Sequence, residues 1–126
     1  MTDAEILSQI HTFFLVGSDS VGLTITYILH QLALHPSVQS RLREELHECS
    51  STSGIGSLPF LDHVVRETLR MIPPHASFLR VASQNCTIPT DDGKGVNIRA
   101  GQFIHMPIQG MNTAKELWGP DAFEFK

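Results

Sequence analysis

The chain has 126 residues, 41% of them apolar and 17% charged, with 13 acidic against 9 basic side chains for a net charge of −4. Such a length allows one domain at most, and the apolar share suits a modest core rather than a disordered segment. The basic residues are scattered, so no electrostatic footprint for nucleic acid is present, while Cys49 and Cys86, far apart and with no signal peptide read before them, argue against a disulfide framework.

Thr2-Asp3-Ala4-Glu5 reads as a capping box, which predicts a long first helix over 1–35. Near the middle of its apolar stretch stands a polar interruption, Gly17-Ser18-Asp19-Ser20. A carboxylate there costs free energy unless it finds donors inside the fold or lines a wet cavity. Gly17 and Gly22 remove bulk, and the hydroxyls of Ser18, Ser20 and Thr24 are able to bond carbonyls one turn earlier, so a bent or locally opened helix beside a polar groove is expected. Phe13 to Leu34 approaches membrane-spanning length, but Asp19, His30, Gln31 and the serines interrupt it, and no membrane segment is expected.

Pro36 suits the first turn of a second helix over 36–49, with Val38, Leu42 and Leu46 along one side. Residues 50–57 are small, polar and aperiodic, which predicts an exposed loop. A third helix over 58–73, marked by Leu61, Val64, Val65, Thr68, Leu69 and Ile72, stops at Pro73-Pro74. Short β-like runs then fill a hairpin region over 77–108: Phe78 to Ala82, Cys86 to Ile88, Val96 to Ile98 and Gln102 to Met106, with Asp92-Gly93 and Ala100-Gly101 as turns. In the last stretch, 109–126, Asn112-Thr113-Ala114-Lys115-Glu116 is expected to cap one more helical turn. The fold class expected is mainly α with a small antiparallel β-sheet.

Glu67 and Arg70 stand three apart on the third helix. With Leu61 at the centre of the apolar arc both fall on its polar side, where an exposed pair contributes about 0.3 kcal/mol. Separately, Ser18-Asp19-Ser20-Val21-Gly22 after Phe13 to Val16 resembles in part the strand, elbow and helix of a serine hydrolase, with Ser20 as nucleophile, although Ser18 replaces the leading glycine. A non-catalytic helical interaction module is a third reading.

The order of these signals resembles the cytochrome P-450 haem-thiolate monooxygenases. Phe14-Leu15-Val16-Gly17-Ser18-Asp19-Ser20 is similar to the family's oxygen-binding helix, Glu67-Thr68-Leu69-Arg70 to its Glu-x-x-Arg, Ile72-Pro73-Pro74 to the usual continuation and Arg80-Val81-Ala82 to its arginine segment. Trp118-Gly119-Pro120-Asp121-Ala122-Phe123-Glu124-Phe125 resembles the run into the Pro-Glu-Arg meander. The resemblance implies a partial P-450 fold, with the meander and the loop bearing the iron's cysteine ligand lying past Lys126, so no metal ligand is expected here. Cys49 and Cys86 do not sit in that loop's pattern.

What the resemblance implies for the residues follows from those matches. Asp19 and Ser20 would serve oxygen activation and proton delivery, Val16 and Gly17 would lie against the haem, and Arg80 would reach a propionate. Glu67 and Arg70 would form a buried structural ion pair, and Ala76, Ser77 and Phe78 would face an apolar substrate. The implied partners are an NADPH-dependent reductase and a small apolar substrate, with no nucleic acid. The implied location is the endoplasmic reticulum membrane if the parent is like microsomal members. A chain of this extent is expected to turn over nothing alone and to be marginal or sticky.

Overall fold

The computed structural model describes all residues, 1–126. Three helices open the chain: α1 (Asp3–Leu34), α2 (Pro36–Glu48) and α3 (Pro59–Met71). Thr2 caps α1 by the expected reciprocal box, its hydroxyl accepting from the Glu5 N–H while the Glu5 carboxylate accepts from the Thr2 N–H at 2.7 Å. Pro36 and Pro59 open α2 and α3, where a missing N–H leaves no helical bond unmade.

The polar notch does not open α1. Ser20 Oγ donates to the Val16 carbonyl at 2.9 Å, and Thr24 Oγ1 to the Ser20 carbonyl at 2.8 Å, yet the residues remain α-helical throughout. Each carbonyl has two lone pairs, so it takes the hydroxyl as a second donor without giving up its amide. Residues 50–57 also differ from the expected loop. Thr52–Ser57 winds into a 3-10 helix, started by the Ser51 hydroxyl accepting from the Ser53 N–H.

Four strands follow: β1 (Phe78–Val81), β2 (Cys86–Ile88), β3 (Val96–Ile98) and β4 (Phe103–Met106). They do not make one sheet. β2 and β3 form a hairpin pairing Cys86 with Ile98, and β1 pairs antiparallel with β4 around it, Phe78 opposite Met106 and Val81 opposite Phe103. The hairpin loop contains Gly93 and Gly95 at φ +75° and +73°, a left-handed conformation costly to other residues.

Two short helices end the chain, α4 (Ile108–Asn112) and α5 (Lys115–Trp118). Only the second was expected, and its N-cap is Ala114, with no side-chain cap from Asn112 or Thr113. The core lies where α1, α2 and α3 meet: Leu32, Leu42 and Val64, with Ile28, Val38, Phe60, Leu61 and Phe125 packed against them. Phe125 also stacks on His35 at the α1–α2 junction, ring centroids 4.9 Å apart, which brings the chain's end onto the helical core. The rest of α1 is uncovered, and only Gln31 and Leu32 of that helix are buried.

Candidate functional site

The densest polar cluster is built on the last turns of α3. Arg70 is 6% exposed, although the apolar arc of α3 puts it on the polar side; residues 112–124 fold over that side and make it an interior. The surface ion pair of the unaided sequence reading is therefore corrected, because a helix face is wet only if no later segment covers it.

Within the cluster Arg70 Nε donates to Glu67 Oε2 and Nη2 to Glu67 Oε1, both at 2.8 Å. Its remaining donors go to main-chain carbonyls: Nη1 to Asn112 at 2.9 Å and Ala122 at 2.7 Å, Nη2 to Glu124 at 3.0 Å. All five guanidinium N–H groups are thus matched, in the fork geometry that only arginine provides. The Trp118 ring lies 5.1 Å from the guanidinium carbon, and Trp118 Nε1 donates to the Met111 carbonyl. Glu67 Oε1 also accepts from the Lys126 N–H at 3.0 Å.

Burial opposes ionisation of Glu67, but the Arg70 hydrogen bonds and the Lys126 N–H outweigh it and hold the carboxyl below its usual range. The hydrogen bond to Glu67 in turn raises Arg70 against the opposing effect of burial. A doubly hydrogen-bonded pair of this kind has the chemistry of a structural pin rather than of an acid or base.

The polar notch on α1 is a different kind of place. Asp19 is exposed and Ser20 half-buried, and no hydrogen bond or ion pair joins either to the Glu67–Arg70 cluster or to Arg80. A methyl group placed on Gly17 or Gly22, about 140° apart around the helix, would meet nothing within 4 Å, so the α1 backbone is uncovered at each of them. Val16 is exposed beside it. Ser20 is not an elbow nucleophile: Phe13 to Val16 is helix, not strand, and the hydroxyl is committed to a carbonyl rather than a histidine.

Ala76, Ser77 and Phe78 are exposed at the start of β1. Arg80 makes no ion pair; its guanidinium lies 5.7 Å from the Phe78 ring and its nearest acceptor is the Leu79 carbonyl at 3.4 Å. It is a free cation suited to a carboxylate. Cys49 Sγ donates to the Ser51 carbonyl, and Cys86 is exposed on β2. By length and composition alone α1 is apolar enough to cross a membrane, which the sequence reading did not expect.

Sequence reasoning missed three contributors. The carbonyls of Asn112, Ala122 and Glu124 carry no side-chain signal. Gln109, whose N–H donates to Ala76 and whose Nε2 donates to Met71, clasps the turn between α3 and β1. Glu45 caps α3 from α2, and a signal for it existed: Leu58 has no side chain able to accept the orphan amides of a helix starting at Pro59.

The sequence pattern of the cytochrome P450 family matches residues 1–126. A ganoderic acid synthetase of Ganoderma lucidum is 39% identical over 144 residues, covering 100% of this chain and 26% of the relative. A cytochrome P450 monooxygenase of Postia placenta, number 128, is 38% identical over 139 residues, covering 100% of this chain and 25% of that protein. The chain thus spans about a quarter of the length of the curated relatives it matches. Among solved structures, a crystal structure of a cytochrome P450 (CYP102L1) superposes with a TM-score of 0.78 at 28% identity over 94% of this chain and 28% of that one. A retinoic-acid-bound cyanobacterial CYP120A1 gives 0.78 at 23% identity over 93% of this chain and 26% of that one, a likeness of fold.

Proposed function

The chain belongs to the cytochrome P450 family, and from that premise we propose that it supplies one wall and the structural pin of a haem-thiolate monooxygenase that inserts one oxygen atom of dioxygen into an apolar substrate. The observation that carries this reading is the five-fold satisfied Arg70, tied to Glu67 and to three carbonyls of the closing segment. Such a pin fixes residues 112–126 against α3 before any chemistry occurs.

The residues present fit a haem. The open surface over Gly17 admits a flat ring against the α1 backbone, and the unpaired Arg80 guanidinium suits a propionate. When bound, haem iron supplies the activation of dioxygen. Asp19 offers an exposed carboxylate beside Ser20, and Ser20 accepts a hydrogen bond through the lone pairs its bond to Val16 leaves free and passes its own proton on when the hydroxyl turns from that carbonyl. The exposed Val16 puts branched bulk beside them, and Ala76, Ser77 and Phe78 form an edge of small and aromatic side chains for substrate. An NADPH-dependent reductase is the electron donor in this reading, and the endoplasmic reticulum membrane its place.

The test uses a graft. Placed in the matching segment of the ganoderic acid synthetase, the chain should support that enzyme's own reaction, and Asp19→Asn should slow it on the order of a hundredfold with haem content unchanged. Full turnover by the Asp19→Asn, Ser20→Ala double variant would remove the proton role. The 126-residue chain alone, given haem, reduced and treated with carbon monoxide, should show no thiolate-type Soret band. A thiolate-type band would instead assign Cys49 or Cys86 as a ligand.

A further inference from the structure

We propose that Glu45 is a positioning residue, an acceptor lent by α2 to the start of α3 that sets where α3 sits and thereby where Arg70 meets the closing segment. Independently of any haem chemistry, the inference rests on geometry within the three helices.

Helix α3 begins without a cap of its own. Its N-cap is Leu58, Pro59 takes the first position, and no local side chain accepts from the amides that follow. Those amides are met from fifteen residues upstream: Phe60 N–H donates to Glu45 Oε1 at 2.9 Å and Leu61 N–H to Glu45 Oε2 at 3.0 Å. The carboxylate therefore spends one oxygen on each of two successive amides, at the helix end where negative charge is favoured. One turn earlier on α2, Arg41 places its guanidinium carbon 4.1 Å from the Phe60 ring centroid. Arg41 and Glu45, four apart and so on one face of α2, thus hold the ring and the main chain of the same residue.

The consequence reaches the other end of α3. Phe60 and Arg70 are ten residues apart, about 15 Å along a helix axis. Between them Val64 is 3% exposed against Leu32 and Leu42, and Thr68 is fully buried. A helix packed along its middle slides or tilts as one body, so an anchor at its first turn constrains its last. A local carboxylate cap, with two oxygens, can satisfy the same two amides without tying α3 to α2, and that distinction makes the proposal testable.

The experiment compares amide exchange at Phe60 and Leu61 with the nitrogen-detected signal of the Arg70 Nε–H, in the full 126-residue chain. Glu45→Ala should speed exchange at residues 60 and 61 about fivefold and shift or broaden the Arg70 signal. Adding Leu58→Asp to that variant, which supplies a local cap with two carboxylate oxygens, should restore the protection at 60 and 61 but not the Arg70 signal. Return of both would overturn the proposal and leave Glu45 an ordinary cap, as would an Arg70 signal untouched by Glu45→Ala. Should Glu45→Ala fail to fold, Glu45→Gln replaces it: its amide keeps one acceptor and turns a donor on the other N–H, so exchange should quicken at 60 or 61 and the Arg70 signal should shift, and an untouched Arg70 signal would overturn the proposal. Arg66→Ala, which breaks only the exposed pair with Asp62, should leave the Arg70 signal in place.

Discussion

Arg70 shows how one side chain is fixed by count rather than by strength. Five donors meet five acceptors, so shortening or reshaping the head leaves acceptors stranded in a covered cluster. Arg70→Ala is expected to cost about 3–5 kcal/mol, because Glu67 is left as an uncompensated, largely covered charge. Arg70→Lys should recover less than half of that, since an ammonium has three donors and no fork. Chemical denaturation of the two variants beside the parent chain measures both.

The same pair gives the fold an acid limit. Glu67 has its folded-state pKa lowered, so the stability it contributes is present above its unfolded value and is lost as pH falls through the folded one. Thermal unfolding followed from neutral pH downward should show a fall that begins as pH enters the ordinary carboxylate range and continues below it. Glu67→Gln should lower the melting temperature at neutral pH and flatten that fall. An unchanged slope would mean that other carboxylates govern the acid limb, and Asp121, lowered by its hydrogen bond to the Lys126 side chain, is the first to examine.

Among the elements, the β2–β3 hairpin depends most on a single backbone position. At Gly95, φ is +73° and an added methyl would lie 2.7 Å from Thr87 Cγ2 and 3.3 Å from the Ile88 carbonyl. Gly95→Ala is expected to cost the hairpin about 1–2 kcal/mol from the left-handed backbone alone. Amide exchange at Cys86 and Ile88 should accelerate while Val64 keeps its protection, because no hydrogen bond ties this hairpin to the helical core. Equal acceleration at Val64 would show that hairpin and helices unfold together.

The elements also differ in how legible they were. The strands from Phe78 to Met106 lie within one residue of the sequence reading, since Gly and Pro punctuation marks their ends. The partner of β1 was not legible: β1 and β4 are 22 residues apart at their nearer ends, Val81 and Phe103 (103 − 81), and adjacent runs suggest hairpins. The 3-10 helix at 52–57 was missed for the opposite reason, because small polar residues without periodicity give a short helix no pattern to show.

At the scale of the whole molecule, apolar surface dominates. Phe13 and Phe14 are 74% and 76% exposed on α1, and the apolar residues of that helix point all round rather than to one side. A helix of that kind is normally covered on every side. The chain on its own should therefore bind anilinonaphthalene dyes and associate as concentration rises. Replacing both phenylalanines by glutamate should lower dye binding and shift sedimentation toward the monomer, without altering the Arg70 signal.

The limits of α1, α2 and α3, the strand limits, the capping box and the succession of motifs followed from the amino-acid sequence by itself, because caps, prolines, glycines and periodicity act over a few residues. The resemblance to a family was legible for the same reason: Glu67-Thr68-Leu69-Arg70 and Arg80-Val81-Ala82 are local strings. Which face of α3 is interior, which carbonyls meet Arg70, and that Glu45 caps a helix other than its own were decided only by the tertiary structure. Burial and main-chain acceptors depend on segments 15 to 54 residues away, and no local pattern of side chains encodes what folds over it.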